Sequence, residues 1–241
     1  MAMKVAFDVG NTAVKVGLFI GDKLTRHFSV PKLTYPVYRS IVREENPEFT
    51  IISSVRRLSE GMRQLADNDD QIFILTPKLR LPVKIDYKSP QTLGPDRIAG
   101  VCGAWHLFPN RNSLVIDAGT CITYDILTHL GCFVGGNISP GLKLRIKAMH
   151  RFTDQLPQVD LVERYLEIGN DTTTALQTGA QGGAVHEMKG FIRQYQKSYD
   201  RLNILLTGGD RHFFVNYLKI KIFVRPHLVL LGLNKILDVN I

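Results

Sequence analysis

The chain has 241 residues, 44% of them apolar, enough for one large domain or two of about 100 to 120 residues each. Lysine and arginine outnumber aspartate and glutamate by 30 to 22. The basic residues lie in short groups such as Lys78 with Arg80 and Lys143 with Arg145 and Lys147, with no basic tail or aromatic platform, so nucleic acid is not the expected partner. No apolar run of roughly 18 residues occurs, which argues against a membrane-spanning helix.

From the start, residues 5–9 form an apolar run that delivers Asp8 into a turn at Gly10, Asn11 and Thr12. The run continues over 13–20 and turns at Gly21 and Asp22 into 23–30. A short helix is expected over 37–43, a buried strand over 49–55, a helix over 59–66 opened by Ser59, and a strand over 71–75. After a turn at Gly94 and Pro95 comes a helix over 97–106.

The opening pattern then returns. Residues 114–117 bring Asp117 into a turn at Gly119 and Thr120, followed by strands over 121–127 and 132–134. A helix over 140–149, a long helical stretch over 172–199, a strand over 202–206, a helix over 210–218 capped by Asp210, a strand over 220–224 and a helix over 228–237 complete the chain. The repeated order predicts a duplicated α/β architecture with a five-stranded mixed sheet in each half. A polar turn at 109–112 sets the boundary, giving domains 1–110 and 111–241. The N-terminal residues enter a strand with no signal-peptide pattern, and Cys102, Cys121 and Cys132 lack C-x-x-C spacing. A cytoplasmic location is expected.

A glycine turn lets backbone N–H groups approach an anion, while an aspartate beside it can hold a cation that neutralises phosphate. Two copies suggest a phosphate clamp. Phosphoryl transfer to an alcohol needs a held γ-phosphate, a metal with Lys or Arg, and a carboxylate near the attacking hydroxyl. Gly10, Asn11, Thr12 and Lys15 suit the first task, and Asp8 can bind Mg²⁺ through water. Taken singly, Asp8 and Gly10 also fit an ordinary β-turn and Lys15 a surface strand position. Asp96 and Thr172 also fit helix caps, and Tyr87 a half-buried aromatic. The seven histidines share no ligand spacing and are expected to be structural or exposed.

Five motifs in order resemble those of the type III pantothenate kinases, within the acetate kinase, sugar kinase, Hsp70 and actin superfamily. Asp8, Val9, Gly10, Asn11, Thr12, Ala13, Val14 and Lys15 match D-x-G-N-T-x-x-K. Asp117, Gly119, Thr120, Thr123 and Asp125 match D-x-G-T-A-x-T-x-D, with Cys121 where alanine is usual. Gly94, Pro95, Asp96 and Arg97 match G-x-D-R; Gly135 to Gly141 match G-G-x-I-x-P-G; Leu206 to Gly209 match the adenosine segment.

The resemblance implies two duplicated actin-like ATPase (ribonuclease H-like) domains with a nucleotide cleft between them, Asp8 and Asp117 facing across it. It implies an ATP-dependent kinase that phosphorylates pantothenate in the first step of coenzyme A biosynthesis. Asp8 to Lys15 and Thr120 would bind ATP, Asp96 would be the catalytic base, and Asp117 would bind a monovalent cation, K⁺ or NH₄⁺. Tyr87, Gly94, Pro95, Asp96, Arg97 and Thr172 would bind substrate, Thr172 from the other subunit of a homodimer. Two alternatives compete: another small-molecule kinase of the superfamily, and a catalytically silent nucleotide-binding regulator. The motif at 94–97 argues against the first, and the intact Asp8, Lys15, Asp96 and Asp117 against the second.

Overall fold

The computed structural model describes residues 2–241. The chain divides into two compact units: one of the residues through Asn110 with Leu127–Gly135 and His227–Ile241, the other of Arg111–Ile126 and Gly136–Pro226. The C-terminal helix, expected in the second half, therefore belongs to the first unit.

The sheet of the first unit is built on β1 (Met3–Val9), β2 (Val14–Ile20), β3 (Lys23–Val30), β4 (Phe49–Ser54) and β5 (Ile72–Ile74), in the order β3-β2-β1-β4-β5. The first three strands pair antiparallel and the last two parallel to β1. Alternation sorts its faces. Val5, Phe7 and Val9 turn inward to a core shared with Tyr38 and Ile41 of α1 (Tyr35–Glu45) and Met62 of α2 (Glu60–Asp67). Thr34 caps α1 and accepts a bond from the Val37 N–H. Ser59 occupies the expected cap position of α2, but its side chain makes no capping bond.

α3 (Pro95–Leu107) packs against α8 (Leu228–Asp238) through glycines. A Cβ on Gly103 would overlap the Leu228 carbonyl, and one on Gly232 the Ala99 carbonyl. Backbone therefore meets backbone at this crossing. The buried Lys4 of β1 pairs with Asp238 of α8, and Lys235 pairs with Asp22 in the β2–β3 turn. These ties hold the final helix against the first strands.

A second sheet comprises β6 (Lys84–Ile85), β7 (Ser113–Ala118), β8 (Cys121–Leu127), β9 (Cys132–Pro140), β10 (Asn203–Thr207) and β11 (Phe223–Val224), in the order β11-β10-β7-β8-β9-β6. It has six strands where five were expected. The sixth, β6 (Lys84–Ile85), pairs in parallel with Cys132 and Phe133 at the start of β9. β9 is also far longer than 132–134 and runs on to Pro140. Consequently α4 (Leu142–Arg151) starts two residues later than expected.

The stretch expected as one helix over 172–199 is three pieces: α5 (Thr172–Gln177), a π-helical turn (Thr178–Gly182) and α6 (Gly183–Ser198). The wide turn carries the buried Gln181, which donates to the Val162 carbonyl at 2.7 Å and accepts from the Val162 N–H at 3.0 Å. A Cβ on Gly182 would lie 2.9 Å from the Tyr165 ring. The irregular segment before α5 is thus stitched onto the helix. α7 (Arg211–Val215) is shorter than expected, and Asp210 stands at its cap position without a side-chain capping bond.

Candidate active site

In the first unit, β1 and β2 pair with Asp8 opposite Lys15 and Val9 opposite Val14. Residues 10–13 are the turn, closed by a bond from the Gly10 N–H to the Ala13 carbonyl at 3.1 Å. The aspartate-to-lysine spacing is therefore a cross-strand pairing. Directly opposed residues of an antiparallel pair lie on one face, and Lys15 Nζ is 3.8 Å from Asp8 Oδ2. Asp8 is buried, Gly10 half-buried, and Asn11 and Thr12 exposed at the tip. A buried carboxylate, a lysine beside it and an exposed glycine turn suit a cation with a phosphate.

Asp96 sits in the first turn of α3, but it is not the cap. Gly94 takes that position and Pro95 the first helical place, where a missing N–H costs nothing. The Asp96 carboxylate accepts from the Arg97 N–H at 2.9 Å and lies so close over Gly94 that a Cβ there would be 2.5 Å from Oδ1. A carboxylate at a helix N-terminus is stabilised by the exposed backbone dipoles.

Arg97 is buried at 6% exposure. Its Cζ lies 5.8 Å from the Tyr87 ring centre and 5.7 Å from that of Phe133, and the two rings are 5.9 Å apart. Gly135 takes φ +118°, and a Cβ there would be in ordinary contact with the Tyr87 ring, 3.7 Å away. Tyr87, Gly94, Asp96 and Arg97 thus form one cluster. Phe133 completes it and was missed, because only the pairing of β6 with β9 brings residue 133 to residue 87.

In the second unit the turn after Asp117 is closed by the Gly119 N–H donating to the Cys121 carbonyl at 2.9 Å. Thr120 is exposed and Asp117 half-buried. The Thr120 carbonyl accepts from the Gly141 N–H at 3.0 Å, and the Ala118 carbonyl from the Asp210 N–H at 2.9 Å. Gly208, at φ +94°, passes so near that a Cβ would lie 2.5 Å from Asp117 Oδ1. The second, fourth and fifth motifs therefore converge on one turn. Burial raises the pKa of Asp210 above the ordinary carboxylate value, partly opposed by Lys143. Cys121 is a free, half-buried thiol.

Behind this turn lies a polar network with no local sequence signal. Glu187 on α6 accepts from Ser139 at 2.6 Å, Arg145 at 2.7 Å and Tyr124 at 3.2 Å. Burial and the nearby Glu187 charge push the Tyr124 hydroxyl pKa up, so it stays a donor. The partners come from β8, β9 and α4, far apart in sequence, which fixes the strand end leading to Gly141.

Thr172 belongs to neither cluster. It is exposed at the first position of α5, and Asp171 is the cap, with Thr174 completing a capping box. The alternative reading of Thr172 as the helix cap is thereby corrected. His27 and His227 bring their rings to 4.0 Å, yet among the described residues no group of three or more His, Cys, Asp or Glu could hold a metal. Among the same residues, no helix is long and apolar enough to cross a membrane.

Component A of (R)-2-hydroxyglutaryl-CoA dehydratase from Acidaminococcus fermentans superposes with a TM-score of 0.57 at 14% identity, covering 100% of this chain and 98% of that one. The inorganic polyphosphate/ATP-glucomannokinase of Arthrobacter sp. strain KM gives 0.52 at 14% identity, covering 99% of each. At such identities the likeness is one of fold, and the fold with its paired aspartate turns is that of the actin-like ATPases and sugar kinases. The family model for type III pantothenate kinase matches residues 4–194. A type III pantothenate kinase of Cytophaga hutchinsonii is 40% identical over 239 residues, 99% of this chain and 100% of its own length. The chain belongs to the type III pantothenate kinase family.

Proposed function

We propose that this chain transfers the γ-phosphate of ATP to the hydroxyl of pantothenate, giving 4′-phosphopantothenate for coenzyme A synthesis. The observation that carries the reading is the turn at 94–97, where a carboxylate is held over a glycine beside a buried, ring-backed arginine. Asp96 accepts the proton of the attacking hydroxyl, and Arg97 with Tyr87, Gly94 and Pro95 holds the anionic substrate. Asp8, Val9, Gly10, Asn11, Thr12, Ala13, Val14 and Lys15 form the phosphate-binding hairpin turn, and Thr120 is a further ATP contact.

Mg²⁺ is usually held by one or two carboxylates with substrate phosphates and water, and the buried Asp8 at the glycine turn fits that donor set. When bound, the ion neutralises charge on the phosphate oxygens. Asp117, whose carboxylate fills the space left by Gly208, suits K⁺ or NH₄⁺. The three free cysteines suit a reducing cytoplasm. A homodimer is the proposed working form: the segment leading to Thr172 carries Phe152 at 84% and Ile168 at 81% exposure, apolar surface that a second copy would cover.

The test is a coupled assay of phosphate transfer to pantothenate, with and without K⁺. Turnover should require ATP and pantothenate, rise with K⁺, and fall by about three orders of magnitude in Asp96→Asn, which removes the base. Undiminished turnover in that variant rejects the catalytic assignment; no transfer to pantothenate in the parent rejects the substrate.

A further inference from the structure

We infer that Phe133 is a positioning residue for substrate binding, acting through Arg97; this rests on the reading that the turn at 94–97 binds pantothenate. Distances of 5.7, 5.8 and 5.9 Å among the Arg97 Cζ and the two ring centres make a nearly equilateral triangle. The guanidinium therefore does not lie between two parallel rings, which would set the rings about twice as far apart. Instead it caps two rings that also touch each other, so both fix its direction.

The two rings are held unequally. Phe133 is wholly buried, and its carbonyl accepts from the Asp86 N–H at 2.9 Å, one residue before Tyr87. Tyr87 is half-buried and has a glycine, Gly135, beneath it. The wholly buried Phe133 ring is the more tightly constrained of the two. A cation within roughly 6 Å of a ring centre is attracted by the ring quadrupole, most strongly where water is excluded. Phe133 thus supplies the fixed contact that keeps the Arg97 guanidinium aimed, and with it the α3 turn that carries Asp96. An aliphatic side chain of similar bulk would fill the space without holding the charge.

The experiment replaces Phe133 with 4-fluoro-, 3,5-difluoro- and 3,4,5-trifluorophenylalanine, which keep the shape and progressively drain the ring face. The KM for pantothenate should climb stepwise, reaching about fivefold, with kcat changed less than about twofold and the KM for ATP constant. Phe133→Leu should raise the pantothenate KM about tenfold, and in a neutral Arg97→Gln background the same change should add almost nothing. A flat fluorination series, or an equal factor in the Arg97→Gln background, overturns the proposal. The Arg97 Nε–H resonance, assigned by its loss in Arg97→Lys, gives a readout independent of substrate. It should shift along the fluorination series, and an unmoved resonance also overturns the proposal. Failure of the parent to phosphorylate pantothenate would instead refute the function while leaving the Arg97 resonance to report on Phe133.

Discussion

Asp96 owes its position to a residue without a side chain. With Gly94 as cap, the carboxylate folds back over the backbone, and a Cβ at 94 would meet Oδ1 at 2.5 Å. Gly94→Ala should therefore push the carboxylate aside while leaving helix α3 formed. Because misplacement by roughly 1 Å of a reacting group can cost about 100-fold, turnover should fall by that order with little change in Tm. Steady-state kinetics beside a melting curve decide it, and full activity in the variant would show that the carboxylate needs no such seat. The motif singled out Asp96 as a candidate, whereas the seat of its carboxylate was not legible: both Gly94 and Asp96 are acceptable caps, and only backbone geometry chooses between them. Asp210 gives a second test at this scale. Its folded pKa is raised by burial, so its favourable contribution is present below the ordinary value of 3.8 and is lost as pH rises through the folded pKa. Asp210→Asn should consequently melt higher than the parent at about neutral pH, with the gap closing as pH falls toward the ordinary carboxylate range. A gap constant with pH would remove burial of the charge as the cause.

Elements that carry a period were legible, and those that depend on a distant partner were not. The strand triplet at 3–30 reads as successive runs punctuated by glycine turns, and α1 ends where Asn46 takes a left-handed conformation, φ 44°. By contrast β6 has only two residues, too few to carry a pattern, and exists because β9 offers it an edge. The same pairing hid Phe133. Helix α5 shows how a start signal misleads when several cap residues adjoin. Asn170, Asp171 and Thr172 are all suitable, but Asp171 has the extended backbone, φ −144° and ψ 173°, and accepts from the Thr174 N–H at 2.8 Å. Losing a cap costs about 1 kcal/mol. Asp171→Ala should lower stability by about that amount, whereas Thr172→Val should leave stability unchanged and depress activity with pantothenate. Denaturant titration of both variants separates the roles. A stability loss in Thr172→Val matching that of Asp171→Ala would return Thr172 to a structural part.

For the whole molecule, the duplicated aspartate turns carried the fold and the five motifs the family. The proposed dimer makes a prediction that no single chain can satisfy. If Thr172 serves the site of the neighbouring subunit, Asp96→Asn and Thr172→Val proteins each lack an essential group at every site of their own homodimers. When the two are mixed and exchange subunits, a two-fold dimer brings Thr172 of the Asp96→Asn chain to the site holding the intact Asp96. That site is complete, and the other lacks both. Random exchange puts about half of all dimers in the mixed form, each with one good site of two, so about a quarter of parental activity should return. The rise should follow the rate of exchange, measured separately by energy transfer between labelled subunits. Exchange without recovery would mean that Thr172 serves its own chain, and a monomer with full activity would remove the shared site altogether. Either result would leave the hairpin clamp and the seat of Asp96 untouched, since both are built within the first unit.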